Sequence, residues 1–405
     1  MSKKYIGLEQ LVAQTAIYAE EKAMKVGSTN KKLTIGIPKE TKNHENRICL
    51  TPKSVGLLIA NGHQIVIEKE AGKESGYEDL EFSEKGAEIV DHVKPVYESQ
   101  VIIKVEPPTL QELEYFKPGT ILLSTIQVPS MGIEYLQKLQ QKRITAIAYE
   151  FMEDKGGLKP VVRAMSEIAS VCITTIAGEL LSHANGGQGI IYGGVTGVPP
   201  IKVIVIGAGT IGENVTRISK SMGAEVQVYD HHHYKLRRLK ADLGQQLYTS
   251  IIDNHTLGKE IQEADVVVSA LRAEEFSEMV LTEDMIISMK PNSVLIDVSI
   301  SQGGCAETSR VTTHENPTFL KHDVIHYCVP NIASRTPRTA TKAFSHIFTP
   351  MLLQMGRLGG FQEAIVSKPW LRNGIYCYKG NITKHSLGSK FGLATKDIEL
   401  LINCY

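Results

Sequence analysis

From Leu33 onward, apolar positions fall into short continuous runs separated by stretches of helical period. The segment "LTIGIP" reads as a strand, "TPKSVGLLIANG" as a helix stopped by Gly62, and "HQIVIEK" as the next strand. A further helix is expected around Ser83 to Gly86, then the strands "QVIIKVE", "TILLSTI" and "TAIAYE". Apolar runs of this kind belong to parallel sheets covered on both faces. A long helix is predicted from Met165 to the pair Gly186 and Gly187. A second alternating block runs from Lys202 to about Asn331, and another long helix follows, "RTATKAFSHIFTPMLLQMGRLGG", broken or kinked near Pro350. The tail from Phe361 reads as short and irregular. Strands alternating with helices predict an α/β fold: two doubly wound Rossmann-like domains with a cleft between them, linked by long helices. The expected boundaries are 33–164 with 338–405 for a discontinuous first domain and 165–337 for the second. Residues 1–32 form an N-terminal extension.

That extension places Leu8, Leu11, Val12, Ala16 and Ala19 at helical spacing before "KVGSTNKK" breaks the pattern. An amphipathic helix docking on its own subunit or a neighbour is expected, rather than one lying on a membrane surface. Lys+Arg and Asp+Glu balance at 44 each, so net charge recommends neither nucleic acid nor an acidic membrane. A small molecule is the expected partner. The six cysteines carry no C-x-x-C pair and no metal spacing, which fits reduced thiols in a cytoplasmic protein. No apolar run is read as a membrane span, and no signal peptide is recognised.

The most specific signal is "IKVIVIGAGTIGENVTRISKSMGAEVQVYDHH". Gly207, Gly209 and Gly212 follow a strand and open a helix, and a second strand ends in Asp230. Gly207 permits the tight turn, Gly209 a close backbone approach to a pyrophosphate, and Gly212 close packing of helix on strand. Asp230 would accept hydrogen bonds from a ribose and repel a ribose phosphate, favouring NAD over NADP. The strand "ADVVVSAL" should bring Ala270 and Leu271 near the cofactor. His231, His232 and His233 suit a solvated loop better than a metal site, and no metal is expected. Asn331 either hydrogen-bonds at the cleft or caps the segment after it.

Lys104 sits inside an apolar strand near its carboxyl end, the edge where ligands bind in open α/β sheets. A buried lysine needs a partner. Several stretches together resemble the alanine dehydrogenase / nicotinamide nucleotide transhydrogenase family: "IGIPKETKNHENRICLTP", "MSEIAS", "GGVTGVPPIKVIVIGAGTIGENV", "QGGCAETSRVTTH" and "HYCVPN". The likeness is stronger to alanine dehydrogenase and runs from about Leu33 nearly to the end. It implies that Arg47 and Lys104 bind the carboxylate and the reacting carbon of a small 2-amino or 2-oxo acid. The alternative for Lys104 is a structural ion pair, with Glu106 or Glu45. The resemblance also implies cofactor contacts at Ser166, Thr210, Ile211, Lys235, Ile300 and Asn331, and a homo-oligomer.

Two positions depart from the family. Where its alanine-oxidising members place a histidine, this chain has Gln127, and where they place an aspartate it has Ser301. Glutamine exchanges no proton near neutral pH, and losing a positioned acid/base costs about 10²–10⁴ in rate. Three expectations stand together: an alanine dehydrogenase-type enzyme using Lys104 for proton transfer, with Gln127 and Ser301 lining the site; a reductive condensation of a 2-oxo acid with an amino acid; and a non-catalytic NAD-binding sensor.

Overall fold

The computed structural model describes residues 31–403, apart from 43, 129, 130, 155, 245 and 273–276; the expected N-terminal helix lies outside them. Fifteen strands run in chain order among the described residues. They are β1 Thr34–Ile37, β2 Gln64–Glu68, β3 Glu88–Val90, β4 Val101–Ile103, β5 Ile121–Ser124, β6 Thr145–Ala148, β7 Lys202–Ile206, β8 Glu225–Asp230, β9 Tyr248–Ile251, β10 Val266–Ser269, β11 Val294–Asp297, β12 Thr318–Lys321, β13 Val324–Tyr327, β14 Ile375–Tyr378 and β15 Asn381–Ile382. They form two sheets, ordered β15-β14-β6-β5-β4-β1-β2-β3 and β12-β13-β11-β10-β7-β8-β9. Within each, the parallel strands follow the doubly wound order, and antiparallel strands add an edge. The order reverses between β1 and β4 in the first sheet and between β7 and β10 in the second.

Both sheets are buried on both faces, as the unbroken apolar runs require. In β4, Val101 and Ile103 enter one core and Ile102 the other. In β7, Val203 and Val205 face one side, Ile204 and Ile206 the opposite. Side chains alternate across a strand, so each sheet needs two helical layers.

Several expected elements differ in extent or kind. The first linking helix spans Pro160–Leu181, starting earlier than expected because Pro160 occupies its first turn, where a missing N–H costs nothing. By length and composition this helix would suffice to cross a membrane, contrary to the reading of no such run. Its apolar side is core: Ile173, Ile176, Ala177 and Leu181 pack under the second sheet. The second linking helix, Pro337–Arg357, continues through Pro350 without the expected break. The expected helix near 83–86 is instead Asp79–Ser83. The tail is ordered rather than irregular. It forms the helices Phe361–Ser367, Pro369–Arg372, His385–Phe391 and Ile398–Asn403, and its strands β14 and β15 extend the first sheet beside β6. Periodicity over four to seven residues is too short to reveal such elements.

Candidate active site

The glycine loop leaves the carboxyl end of β7 at the switch point. Gly207 has φ +106°, and a Cβ there would lie 2.6 Å from the carbonyl oxygen of Ala270 at the end of β10. At Gly212 a Cβ would lie 1.8 Å from the Gly207 carbonyl, so the helix Thr210–Ser221 packs on the loop with no room for a side chain. Gly209 differs: nothing lies within 4 Å of the place its Cβ would take. Two glycines are therefore demanded by the protein itself, and the third leaves open space at a helix N-terminus, where a pyrophosphate is favoured. These residues fit a dinucleotide.

Asp230 ends β8, almost wholly buried. Its Oδ2 accepts the Ala208 N–H at 2.7 Å and its Oδ1 the His232 N–H at 2.8 Å. Burial alone would raise its pKa, but these amides and Lys235, 3.8 Å away, hold it below the usual range. Asp230 thus braces the glycine loop, beyond the ribose contact expected of it. The three histidines diverge: His231 pairs with Glu278, His232 with Asp230, and His233 opens a helix. Ser166 lies on the first linking helix, where its carbonyl accepts the Ser170 hydroxyl; that hydroxyl also lies 3.3 Å from the Ile211 carbonyl. Ala270 N–H donates to Ile206, and Leu271 C=O accepts the Ser299 hydroxyl at 2.7 Å. Ile300 and Ser301 occupy the 3-10 turn Val298–Gln302 after β11, the first buried and the second exposed.

Across the cleft, the loops after β1, β4, β5 and β6 carry a concentration of charge. Arg47 is buried and held by Glu45, with Nε 2.7 Å from Oε1 and Nη2 2.5 Å from Oε2. This bidentate pair keeps the guanidinium charged although burial opposes it. Phe344 lies under the guanidinium at 5.3 Å. Nη1 meets only the Met165 sulfur, at 3.5 Å, among its described hydrogen-bond contacts. Asn331, with φ +62°, reaches over from the second domain and donates to Glu45 Oε2 at 2.6 Å. It therefore hydrogen-bonds at the cleft while also opening the turn Ile332–Arg335.

Lys104 takes another direction. β4 stops at Ile103, so Lys104 follows the strand rather than lying within it. It continues the face of Ile102, toward the helical layer containing Tyr97 and Leu113. Its Nζ lies 2.7 Å from Glu112 Oε1 and 3.8 Å from Glu40 Oε2. Glu112 also accepts the Tyr97 hydroxyl on Oε1, and its Oε2 accepts the Thr109 N–H of a helix capping box. Burial pulls the ammonium pKa down, but Glu40 and Glu112 more than offset it and leave it raised. Lys104 thus makes an ion pair, with partners other than the expected Glu106 and Glu45. A lowered lysine pKa, needed for a base, is not what the site provides.

Gln127 follows β5 in a left-handed conformation, φ +44°. Its Nε2 donates to Glu106 Oε2, and its Oε1 accepts Lys42 Nζ at 3.0 Å. Lys42 also reaches Glu106 Oε2, at 3.2 Å. Glu150, after β6, accepts the Ile126 N–H at 2.8 Å on Oε1, while Oε2 is buried with no hydrogen-bond partner among the described residues. Burial raises Glu40 and Glu150 each to about 7. Glu40, Glu45, Glu106 and Glu150 were not anticipated as site residues. The spacing Glu45-x-Arg47 was a usable signal; the convergence of four loops was not.

Opposed carboxyl edges, one with a glycine loop and one with an oriented arginine, are the layout of a two-domain dinucleotide-binding protein. Residues 36–169 match the family "Alanine dehydrogenase/PNT, N-terminal domain" and residues 173–385 "Alanine dehydrogenase/PNT, C-terminal domain". The chain is 36% identical over 369 residues to "Alanine dehydrogenase 2" of Staphylococcus aureus (strain Mu50), covering 91% of this chain and 99% of the relative. It is 36% identical over 362 residues to "Alanine dehydrogenase" of Bacillus subtilis (strain 168), covering 89% and 95%. A solved "L-alanine dehydrogenase" superposes with TM-score 0.82 at 29% identity, over 89% of this chain and 99% of that one. The protein belongs to the alanine dehydrogenase/PNT family.

Proposed function

We propose that the protein is an NAD-dependent oxidoreductase interconverting a small 2-amino acid with its 2-oxo acid and ammonia, alanine and pyruvate first among candidates. The observation that carries this reading is Arg47: charged, buried, fixed by Glu45, with Nη1 left for a ligand carboxylate. Arg47 binds the carboxylate through Nη1, since Glu45 occupies its Nε and Nη2, Asn331 ties the second domain to Glu45, and Gln127 lines the pocket. Lys104 is a positioning residue that anchors the loop after β4. NAD, when bound, supplies the hydride acceptor. Gly207, Gly209, Thr210, Ile211 and Gly212 would hold its pyrophosphate, Asp230 and Lys235 its ribose, and Ser166, Ala270, Leu271 and Ile300 would complete the walls. Ser301 lies at the rim. The domain boundaries 33–164 with 338–405 and 165–337, a homo-oligomeric assembly and a cytoplasmic setting belong to the same reading.

The test is loss of NADH absorbance with purified protein, pyruvate and ammonium, with an NADPH control. Saturable turnover with ammonium supports the reading. Turnover only when amino acids replace ammonium moves the reaction to reductive condensation. No turnover, with tight NADH binding shown separately, leaves the sensor.

A further inference from the structure

Gln127 cannot transfer a proton near neutral pH, and Lys104 is committed to Glu112 and Glu40. A reaction that moves protons at nitrogen needs a titrating group somewhere in the cleft. Glu106 stands where β4 and β5 deliver their loops, two residues past Lys104, and it is nearly buried. Oε2 is held from two sides, by Gln127 Nε2 and by Lys42 Nζ at 3.2 Å. The backbone N–H of Glu106 lies 3.3 Å from Glu40 Oε2. Oε1 makes no hydrogen bond among the described residues. One oxygen is therefore fixed and the other is left for a ligand. Arg47 and Glu106 share one sheet edge: they lie on the loops after the paired strands β1 and β4, and Lys42, on the Arg47 loop, contacts Glu106 at 3.2 Å, so a substrate carboxylate on Arg47 would place its amino group beside this cluster.

Resting on the function proposed above, we propose that Glu106 is the acid–base catalyst of this cleft, with Gln127 and Lys42 as its positioning residues. In the oxidative direction the substrate ammonium gives one proton to Glu106. The Cα–H electron pair leaves as hydride, which reduces NAD, and the nitrogen lone pair closes a C=N bond. Glu106 passes its proton to bulk water along the half-exposed Lys42 side. Water then adds to the carbon; Glu106 takes a proton from it and returns that proton to the nitrogen. The carbonyl forms as the C–N bond breaks, and ammonia departs with the hydroxyl proton as ammonium. One proton is released per turnover.

The charged groups around Glu106 are Lys42, Glu45, Arg47 and Glu40 after β1, the last with Oε2 3.3 Å from the Glu106 N–H, and Glu150 after β6. Burial raises its carboxyl above the ordinary range, while Lys42 and Arg47 oppose the rise. The acceptor form is lost as pH falls, so amino-acid oxidation should show an acid limb set by Glu106.

The decisive experiment compares native protein with E106Q, E106D and K42M in alanine oxidation from pH 5.5 to 10, with NADH affinity measured alongside. E106Q should lose about 10²–10⁴ in kcat, lack the acid limb and bind NADH within about threefold of native. K42M should move the limb to higher pH, since it removes a cation that holds the carboxyl down. E106Q activity within about threefold of native, with the same limb, overturns the role of Glu106 while leaving the reaction standing. Native protein inactive with alanine at every pH overturns the reaction and, with it, the role. Should E106Q fail to fold, E106D decides: partial activity with a displaced limb supports the role, and an unchanged profile overturns it.

Discussion

The two sides of the cleft are specified differently. On the second domain, the glycine loop is set by contacts within about sixty residues, with the Gly207 carbonyl against Gly212 and the Ala270 carbonyl against Gly207. On the first domain, Arg47, Glu106, Gln127 and Glu150 arrive on four separate loops, and Glu45 is bonded by Asn331, 286 residues away in sequence. A local motif tolerates no side chain where backbone touches backbone. A convergent cluster can change its residues so long as its charges stay paired. The two positions expected to depart from the family lie on the convergent side, at Gln127, and on an exposed turn, at Ser301, while the glycine loop has Gly207, Gly209 and Gly212.

The largest expected effect tests the burial of Lys104. Removing one partner of a buried ion pair costs about 3–5 kcal/mol, so Lys104→Met should destabilise the protein by roughly that much in urea unfolding. KM for pyruvate should stay within about threefold in the fraction that remains folded. A KM raised a hundredfold at unchanged stability would restore Lys104 to the substrate. Next, Gly212→Ala places a methyl 1.8 Å from a carbonyl oxygen and should cost near the top of the roughly 1–3 kcal/mol range for overpacking. Gly209→Ala meets nothing; it should leave the unfolding midpoint unchanged while weakening NADH binding about tenfold or more. Equal behaviour of these two variants would erase the distinction between them.

A smaller effect separates pH 5 from pH 8. The fold keeps the Glu150 proton to about pH 7, whereas the unfolded chain releases it near its ordinary value of about 4.5. Native stability therefore falls as pH rises through that window. Glu150→Gln removes the titration and keeps the acceptor for Ile126. It should stabilise the protein by about 1–2 kcal/mol at pH 8, below the roughly 3 kcal/mol ceiling of such a shift, and change little at pH 5. Equal midpoint shifts at both pH values would sink this account. Smallest of all, Ser301→Ala on its exposed turn should stay within about 0.5 kcal/mol of native stability and within about threefold in rate.

The first domain also shows what period and spacing do not reveal. "VIIKVE" announces a strand with a lysine at its end, but nothing local says that Glu112, eight residues on, completes a helix cap with one oxygen and holds Lys104 with the other. Glu106 reads in sequence as the residue before Pro107 and Pro108. It becomes a cleft carboxylate only because β5 runs beside β4 and delivers Gln127 to it. The short tail elements escape periodicity for the same reason: β14 is a strand because β6 offers it an edge.

By itself, the sequence determined the two doubly wound halves and the glycine turn, since each depends on neighbours close in the chain or on an apolar run that has to be buried on both faces; Arg47, in the loop after β1, was marked by the family resemblance. Only the tertiary structure decided which charges meet. The partners of a buried ion are set by which loops reach the same sheet edge, and in a low-dielectric cleft that choice separates a structural lysine from a carboxylate free to take a proton.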